Sequence, residues 1–294
     1  MQTAELLRKV RRLEIRSRHL VEDLFAGHAE SVFKGRGMEF EEVRPYLPGD
    51  EVRDIDWNVT ARLGHPYVKR FVEERELTVL LVLDVSGSMR FGTAGQEKRE
   101  LAAELCAVLG FAALRNDDRV GLVLAGERVE HFVPPARGRS HVLRLLRDVL
   151  DAAPRAGGTR LGEAARFVLR TTHRRSVVFW ISDFEDTLDP RDWRVLARRH
   201  ELTALVTRDP RDDALPAVGW IEVEDLESGE RRLVNTSSRR AREAYRARAR
   251  EQRRSAEQAL RRARVSMVEV PTDRSYMPIL LHFFAARRRG RVQT

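Results

Sequence analysis

Residues Val79 to Met89 read VLLVLDVSGSM. The first part continues the run LTVLLVLDV, whose near-continuous apolar character is that of a strand buried on both faces. It breaks off into one carboxylate, Asp84, and two hydroxyls, Ser86 and Ser88, at alternating positions. Side chains two apart in an extended chain point the same way. Gly87 and the small residues around it predict a loop that curls about a point and turns all three oxygens inward.

Two further stretches have the same character. GGTRLGEA places Thr159 after two glycines and before a helical pattern, and WISDFED places Asp183 directly after the apolar strand SVVFWIS. In an open α/β sheet, ligands bind outside the carboxyl ends of strands where the strand order reverses. Asp84, Ser86, Ser88, Thr159 and Asp183 are therefore candidate metal ligands: hard oxygens only, with no sulfur or imidazole. Such a set suits Mg²⁺, or Mn²⁺, over zinc or copper. Two carboxylates and neutral hydroxyls leave a divalent ion under-neutralised, so a further acidic group from a partner protein is expected to complete it.

Beyond the opening stretch, strands alternate with helices: a helix over 97–114 with one apolar side (Leu101, Leu105, Val108, Leu109, Ala112), and the strand pair RVGLVLAG and RVEHFVPP turning at Gly126-Glu127. Helices near 139–151 and 161–172 follow, then SVVFWIS, a helix near 190–200, the strand ELTALVT and a weaker strand AVGWIEVED. The Arg-rich segment 238–263 predicts one long helix, VSMVEVP a last strand and MPILLHFFAARRR a terminal helix. This pattern predicts a three-layer, Rossmann-like α/β fold, a mostly parallel sheet with helices on both faces.

Before it, residues 1–26 form an amphipathic helix with Leu6, Val10, Leu13, Leu20 and Leu24 on the side expected to dock on the parent domain. Residues 27–76 form a β-rich arm of short antiparallel strands, in which Pro48-Gly49 suits a turn and Asp50 is placed to cap a short helix beginning near Glu51. The domain plan is thus 1–26, 27–76, a metal-binding core over 77–237, and 238–294 completing it.

The chain has 294 residues, 42% hydrophobic, and a net charge of +9. Residues 231–264 carry thirteen Arg against three Glu and residues 265–294 five Arg against two acids, so the rest is net acidic. Basic charge therefore does not mark the candidate site, and the arginines of the long helix spread around it with Tyr245 alone among them, unlike a nucleic-acid face. Cys106, the single cysteine, reads as a buried inert thiol. No apolar run reaches the ~20 residues of a membrane span, and no leader pattern opens the chain; a soluble, cytoplasmic protein is expected.

The D-x-S-x-S run with Thr159 and Asp183 following, each at its own strand end, resembles the metal-ion-dependent adhesion site (MIDAS) of von Willebrand factor A domains. The upstream stretch 35–76 resembles the bacterial family called domain of unknown function 58, whose signature R-x-Y-x-x-G-D-x-x-R-x-I-D-W falls here on Arg44, Tyr46, Gly49, Asp50, Arg53, Ile55, Asp56 and Trp57. In the residues themselves these read as packing by Ile55 and Trp57, a turn, and Arg53 paired with an acid. The resemblance implies a non-enzymatic adaptor that partners MoxR-type AAA+ ATPases. The alternatives are a metal-dependent phosphoester hydrolase, against which stands the absence of a G-x-S-x-G elbow or H-E-x-x-H pair, and a nucleic-acid binder using the Arg-rich helix.

Overall fold

In the computed structural model, residues 3–26, 39–47, 50–51, 55–72, 77–93, 95–152, 159–186, 188–224 and 229–292 are described. They divide into two units, one of residues 33–77 and one of residues 1–32 with 78–294.

The larger unit is organised by strands whose side chains are apolar on both faces. In chain order these are β3 (Thr78–Asp84), β4 (Arg119–Ala125), β5 (Val129–Ala136), β6 (Val177–Ser182), β7 (Glu201–Arg208) and β10 (Ser266–Pro271). They form one sheet in the order β10-β7-β6-β3-β4-β5, parallel except for the antiparallel edge strand β5. The chain leaves β3 towards β4 and returns on its other side at β6, so the strand order reverses at the β3–β6 boundary. That is where the carboxyl ends of parallel strands open a crevice.

Helices cover both faces. On one, α5 (Leu161–Thr171), α6 (Pro190–Arg199) and α8 (Arg239–Arg262) pack on Leu80, Val82, Val178, Trp180 and Ala204. Trp193 of α6 lies 4.5 Å from Trp180, ring to ring. The other face carries α3 (Lys98–Arg115), α4 (Arg139–Asp151) and α9 (Met277–Val292); Phe284 of α9 meets Phe179, the strand neighbour of Trp180, edge-on at 6.4 Å. The mixed α/β plan with a mostly parallel sheet is the one expected.

Three local readings need correction. Helix α3 is buried from Leu101 to Ala113 all the way round, not on one side, because α1 (Thr3–Ala26) and α4 pack on it from outside. The seam of α1 runs through Leu6, Val10, Glu14, Ser17 and Val21, leaving Leu13 and Leu20 half-buried. Glu14 is accommodated there because Arg139 donates to it at 2.7 Å, and Arg16 meets Glu104. The segment AVGWIEVED does not join the main sheet: β8 (Trp220–Glu224) pairs antiparallel with β9 (Arg231–Asn235), a strand unread in the sequence, as a separate ribbon. The short helix α7 (Pro210–Asp213) caps itself through Asp209.

Helix α8 is the expected long Arg-rich helix. Arg253 reaches Glu257, Asp213 and Glu269, tying it to α7 and β10, while Ala256, Ala259 and Leu260 enter the core.

In the smaller unit, β1 (Glu39–Pro45) pairs antiparallel with β2 (Tyr67–Val72), followed in space by α2 (Trp57–Leu63). Asp50 is paired, and the helix expected to begin near Glu51 falls on residues 52–54, outside the described residues. The Asp50 carboxylate takes a two-pronged contact from Arg44 at 2.7 and 2.8 Å and accepts the Leu47 N–H, and these bonds hold it well below the usual carboxylate range. Asp56 caps α2, accepting from the Asn58 and Val59 N–H groups at its start. Trp57, expected to pack, is 64% exposed, while Ile55 is half-buried and bridges to Val68. Tyr46 is half-buried and donates its backbone N–H to Pro66. Gly49 and Arg53 lie outside the described residues.

Candidate functional site

Register places the site. Leu83 of β3 pairs with Ile181 of β6, so Asp84 and Ser182 emerge side by side at the carboxyl edge. Ser182, wholly buried, donates its hydroxyl to Asp84 Oδ2 at 2.6 Å and accepts the Phe184 N–H at 2.9 Å. The other oxygen, Asp84 Oδ1, accepts the Ser86 N–H at 2.9 Å, which is what curls the loop. Ser86 then precedes a 3₁₀ turn over Gly87–Arg90 that brings the Ser88 hydroxyl to 3.1 Å from that of Ser86. The inward-turned loop read from Asp84, Ser86 and Ser88 is thus present, and all three are buried.

Asp183 follows at the end of β6, also buried. Burial, then the charge of Asp183, push the Asp84 carboxyl up to about 7. Phe184 is held at φ 55, the left-handed region that bulky residues rarely enter. Its ring packs 5.6 Å from Trp193, and this anchor fixes the sharp turn between Asp183 and Glu185.

Thr159 is buried at the entrance to α5. Its neighbours locate it: the Arg160 N–H bonds Gly126 O just beyond β4, and the Leu161 N–H bonds Asp186 beyond β6. The Thr159 hydroxyl makes no hydrogen bond among the described residues. Asp84, Ser86, Ser88 and Asp183 are therefore brought together, and Thr159 sits at the same edge between the flanking strand ends.

The sequence reading missed the cation. Lys98, the first residue of α3, is 1% exposed, with its ammonium 3.1 Å from Asp183 Oδ2, 3.0 Å from Asp212 and 3.5 Å from Glu185. Burial alone would lower its pKa, but the charges of Asp183, Glu185 and Asp212 outweigh this and hold it above the ordinary lysine value. The Asp183 backbone carbonyl accepts from Arg208 at 3.0 Å, while its second carboxylate oxygen makes no hydrogen bond among the described residues. One signal was available: Lys98 is among only four lysines of 54 basic residues.

The loop leaving the site is pinned at a distance. Asp209, at the end of β7, accepts from Thr93 N and Oγ1 at 2.8 and 2.6 Å and from Thr272 at 2.8 Å. Gly92 is required there, since a Cβ would fall 2.3 Å from the Gln96 carbonyl.

Among the described residues, no group of three or more His, Cys, Asp or Glu side chains could hold a metal. The donor set is of another kind: two carboxylates and three hydroxyls. It fits a hard divalent cation by chemistry. The Thr159 hydroxyl and one oxygen of Asp183 are without partners among the described residues, and the charge of Asp183 adds to the cost of ionising the buried Asp84, which a cation beside it would relieve.

The model of the family described as "Protein of unknown function DUF58" matches residues 42–255. The chain belongs to the DUF58 family. Among its relatives, the uncharacterized protein Rv1480 of Mycobacterium tuberculosis (strain ATCC 25618 / H37Rv) is 34% identical over 298 residues, covering 97% of this chain and 91% of its own. Among solved structures, conserved hypothetical protein BatB from Bacteroides thetaiotaomicron is similar with a TM-score of 0.49 at 14% identity, over 72% of this chain and 99% of that one. The SpRpn10 VWA domain is similar with a TM-score of 0.36 at 13% identity, over 72% and 95%. Among the described residues of this DUF58 chain, no helix is long and apolar enough to cross a membrane.

Proposed function

We propose that this DUF58 protein is a non-enzymatic, cytosolic adaptor with a von Willebrand factor A-like core, which binds a protein partner through a Mg²⁺ or Mn²⁺ ion at the β3–β6 crevice. The observation that carries the reading is the convergence of Asp84, Ser86 and Ser88 beside Asp183 at the strand-order reversal, by hydrogen bonds of the loop itself. Asp84, Ser86, Ser88, Thr159 and Asp183 would hold the ion. Bound there, it supplies a positive charge able to accept an acidic side chain from outside.

The chain's own residues prepare that task. Ser182 orients Asp84, Phe184 fixes the turn after Asp183, and Lys98 draws one Asp183 oxygen away so that the other is left for the crevice. Glu185 stands at the exposed rim. The family resemblance points to an AAA+ ATPase of the MoxR type as the partner.

The test is retention of such an ATPase from the cognate bacterial extract on the immobilised full chain. With millimolar Mg²⁺ it is retained; with EDTA, or on the Asp183→Asn chain in Mg²⁺, it is lost. Retention equal in EDTA removes the metal from the reading, and metal-dependent turnover of a phosphoester that vanishes in Asp183→Asn replaces the adaptor with an enzyme.

A further inference from the structure

At the opposite edge of the same sheet lies a cleft of about 510 Å³, lined by Arg194, Ala197 and Arg198 of α6 and by Arg262, Ala263 and Arg264 where α8 ends. Helix α6 runs from the end of β6 back to the start of β7, and α8 leads to the start of β10, which sets this cleft at the amino ends of the strands. We propose that it is a binding site for a compact, multiply charged phosphate compound.

The charges carry the argument. None of the four guanidinium groups makes a hydrogen bond or an ion pair among the described residues. Some neighbours on the same helices are engaged: Arg199 donates to the Leu169 and His173 carbonyls, and Arg253 meets three carboxylates. Other arginines of these helices, Arg254 and Arg261 among them, also lack a side-chain partner among the described residues; what sets these four apart is that they share one cleft with no acidic residue in its lining. Ala197 and Ala263 form the small remainder of the lining and leave the volume open.

Favourable placement at a helix's negative pole accounts for basic residues in a last turn, which covers Arg198 and Arg262. It does not cover Arg194, earlier in α6, or Arg264, beyond the end of α8. Arg264 is the informative one. The Val265 N–H bonds Leu260 O and the Arg264 N–H bonds Arg261 O, the double bond pattern that closes a helix with a left-handed residue, ordinarily glycine. Here an arginine takes φ 60 in that place. Asp117 closes α3 in the same way at φ 57, so the conformation belongs to the helix end; particular to Arg264 is that its side chain lines the cleft.

The ligand's class follows from the lining. A guanidinium presents a planar fork that matches phosphate oxygens two at a time. The volume lies in the range of small-ligand sites. No aromatic side chain lines the wall on which a base could stack, so the phosphates themselves are the recognised part. In the sequence these residues were unreadable as a set, because two helices about 70 residues apart supply them.

The experiment is calorimetric titration of the full chain with tripolyphosphate at 150 mM NaCl, with competing arms of duplex DNA and poly-glutamate. The expected result is saturable binding of one tripolyphosphate per chain, weakened at least tenfold in Arg198→Gln/Arg264→Gly. Because glycine suits φ 60 better than arginine, Arg264→Gly alone keeps or raises the melting temperature while still weakening binding severalfold. No saturable heat, or equal binding by the double variant, overturns the proposal. Displacement of tripolyphosphate by DNA or poly-glutamate at lower phosphate or carboxylate concentration overturns the compact ligand in favour of a macromolecule.

Discussion

At the carboxyl edge of the sheet the buried Lys98 pairs with buried Asp183 and half-buried Asp212, and Asp84 takes hydrogen bonds on both its oxygens; at the amino edge the side chains of Arg194, Arg198, Arg262 and Arg264 stand exposed with no partner among the described residues. The difference follows from solvation. A charge removed from water must be paired or hydrogen-bonded, or it neutralises. A charge left in water need not be, and contributes little to stability either way. The first edge is therefore built into the fold, so that its variants should unfold the protein as well as disable it. The second should be separable from folding altogether.

The strongest way to break this contrast is at Lys98. Lys98→Met leaves the buried Asp183 and the half-buried Asp212 without their cation, and a loss of about 3–5 kcal/mol is expected in denaturant melts of the metal-free protein. Adding Asp183→Asn should restore part of it. Strict additivity of the two changes would show that the pair is not coupled.

Next is Ser182→Ala, which removes the donor to Asp84 and the acceptor for Phe184 N–H without creating a sizeable cavity. The expected cost is about 1–3 kcal/mol, together with weaker metal binding. A stability change near zero would mean that Asp84 finds another donor.

The smallest effect sharpens the rule for cations. His200, at the end of α6, is buried with no partner on either ring nitrogen among the described residues. Burial, then the charges of Arg199 and Arg175, bring its pKa down to about 4. Below the ordinary value of about 6.5 the unfolded chain takes up a proton that the folded one refuses, so stability is lost as pH falls from about 6.5 towards 4. His200→Leu should flatten the fall in melting temperature across that window. An unchanged slope would mean that the imidazole is protonated in place.

The sequence made the architecture legible because β3, β4, β6 and β7 are continuous apolar runs, and runs of that length between amphipathic helices have few other solutions. The oxygens at strand ends were legible for the same reason: an acid or hydroxyl directly after a buried strand stands out, as Asp84, Ser86, Ser88 and Asp183 do. Lys98 was not, because QEKRE reads as a solvated helix start and only the packing of α3 against the strand ends buries it. Ser182 was passed over since a serine at a strand end has no signature until register sets it beside Asp84. The pairing of Asp50 with Arg44 went unread for a related reason. Aspartate caps helices and pairs with arginine equally well, and only the fold brings Arg44 within reach.

The central claim is tested most directly by titrating Mn²⁺ into the metal-free full chain and following both heat and melting temperature. The account predicts one ion per chain, a rise in melting temperature, and loss of both in Asp84→Ala and Asp183→Ala. No binding at millimolar Mn²⁺, or binding that survives both substitutions, would contradict it.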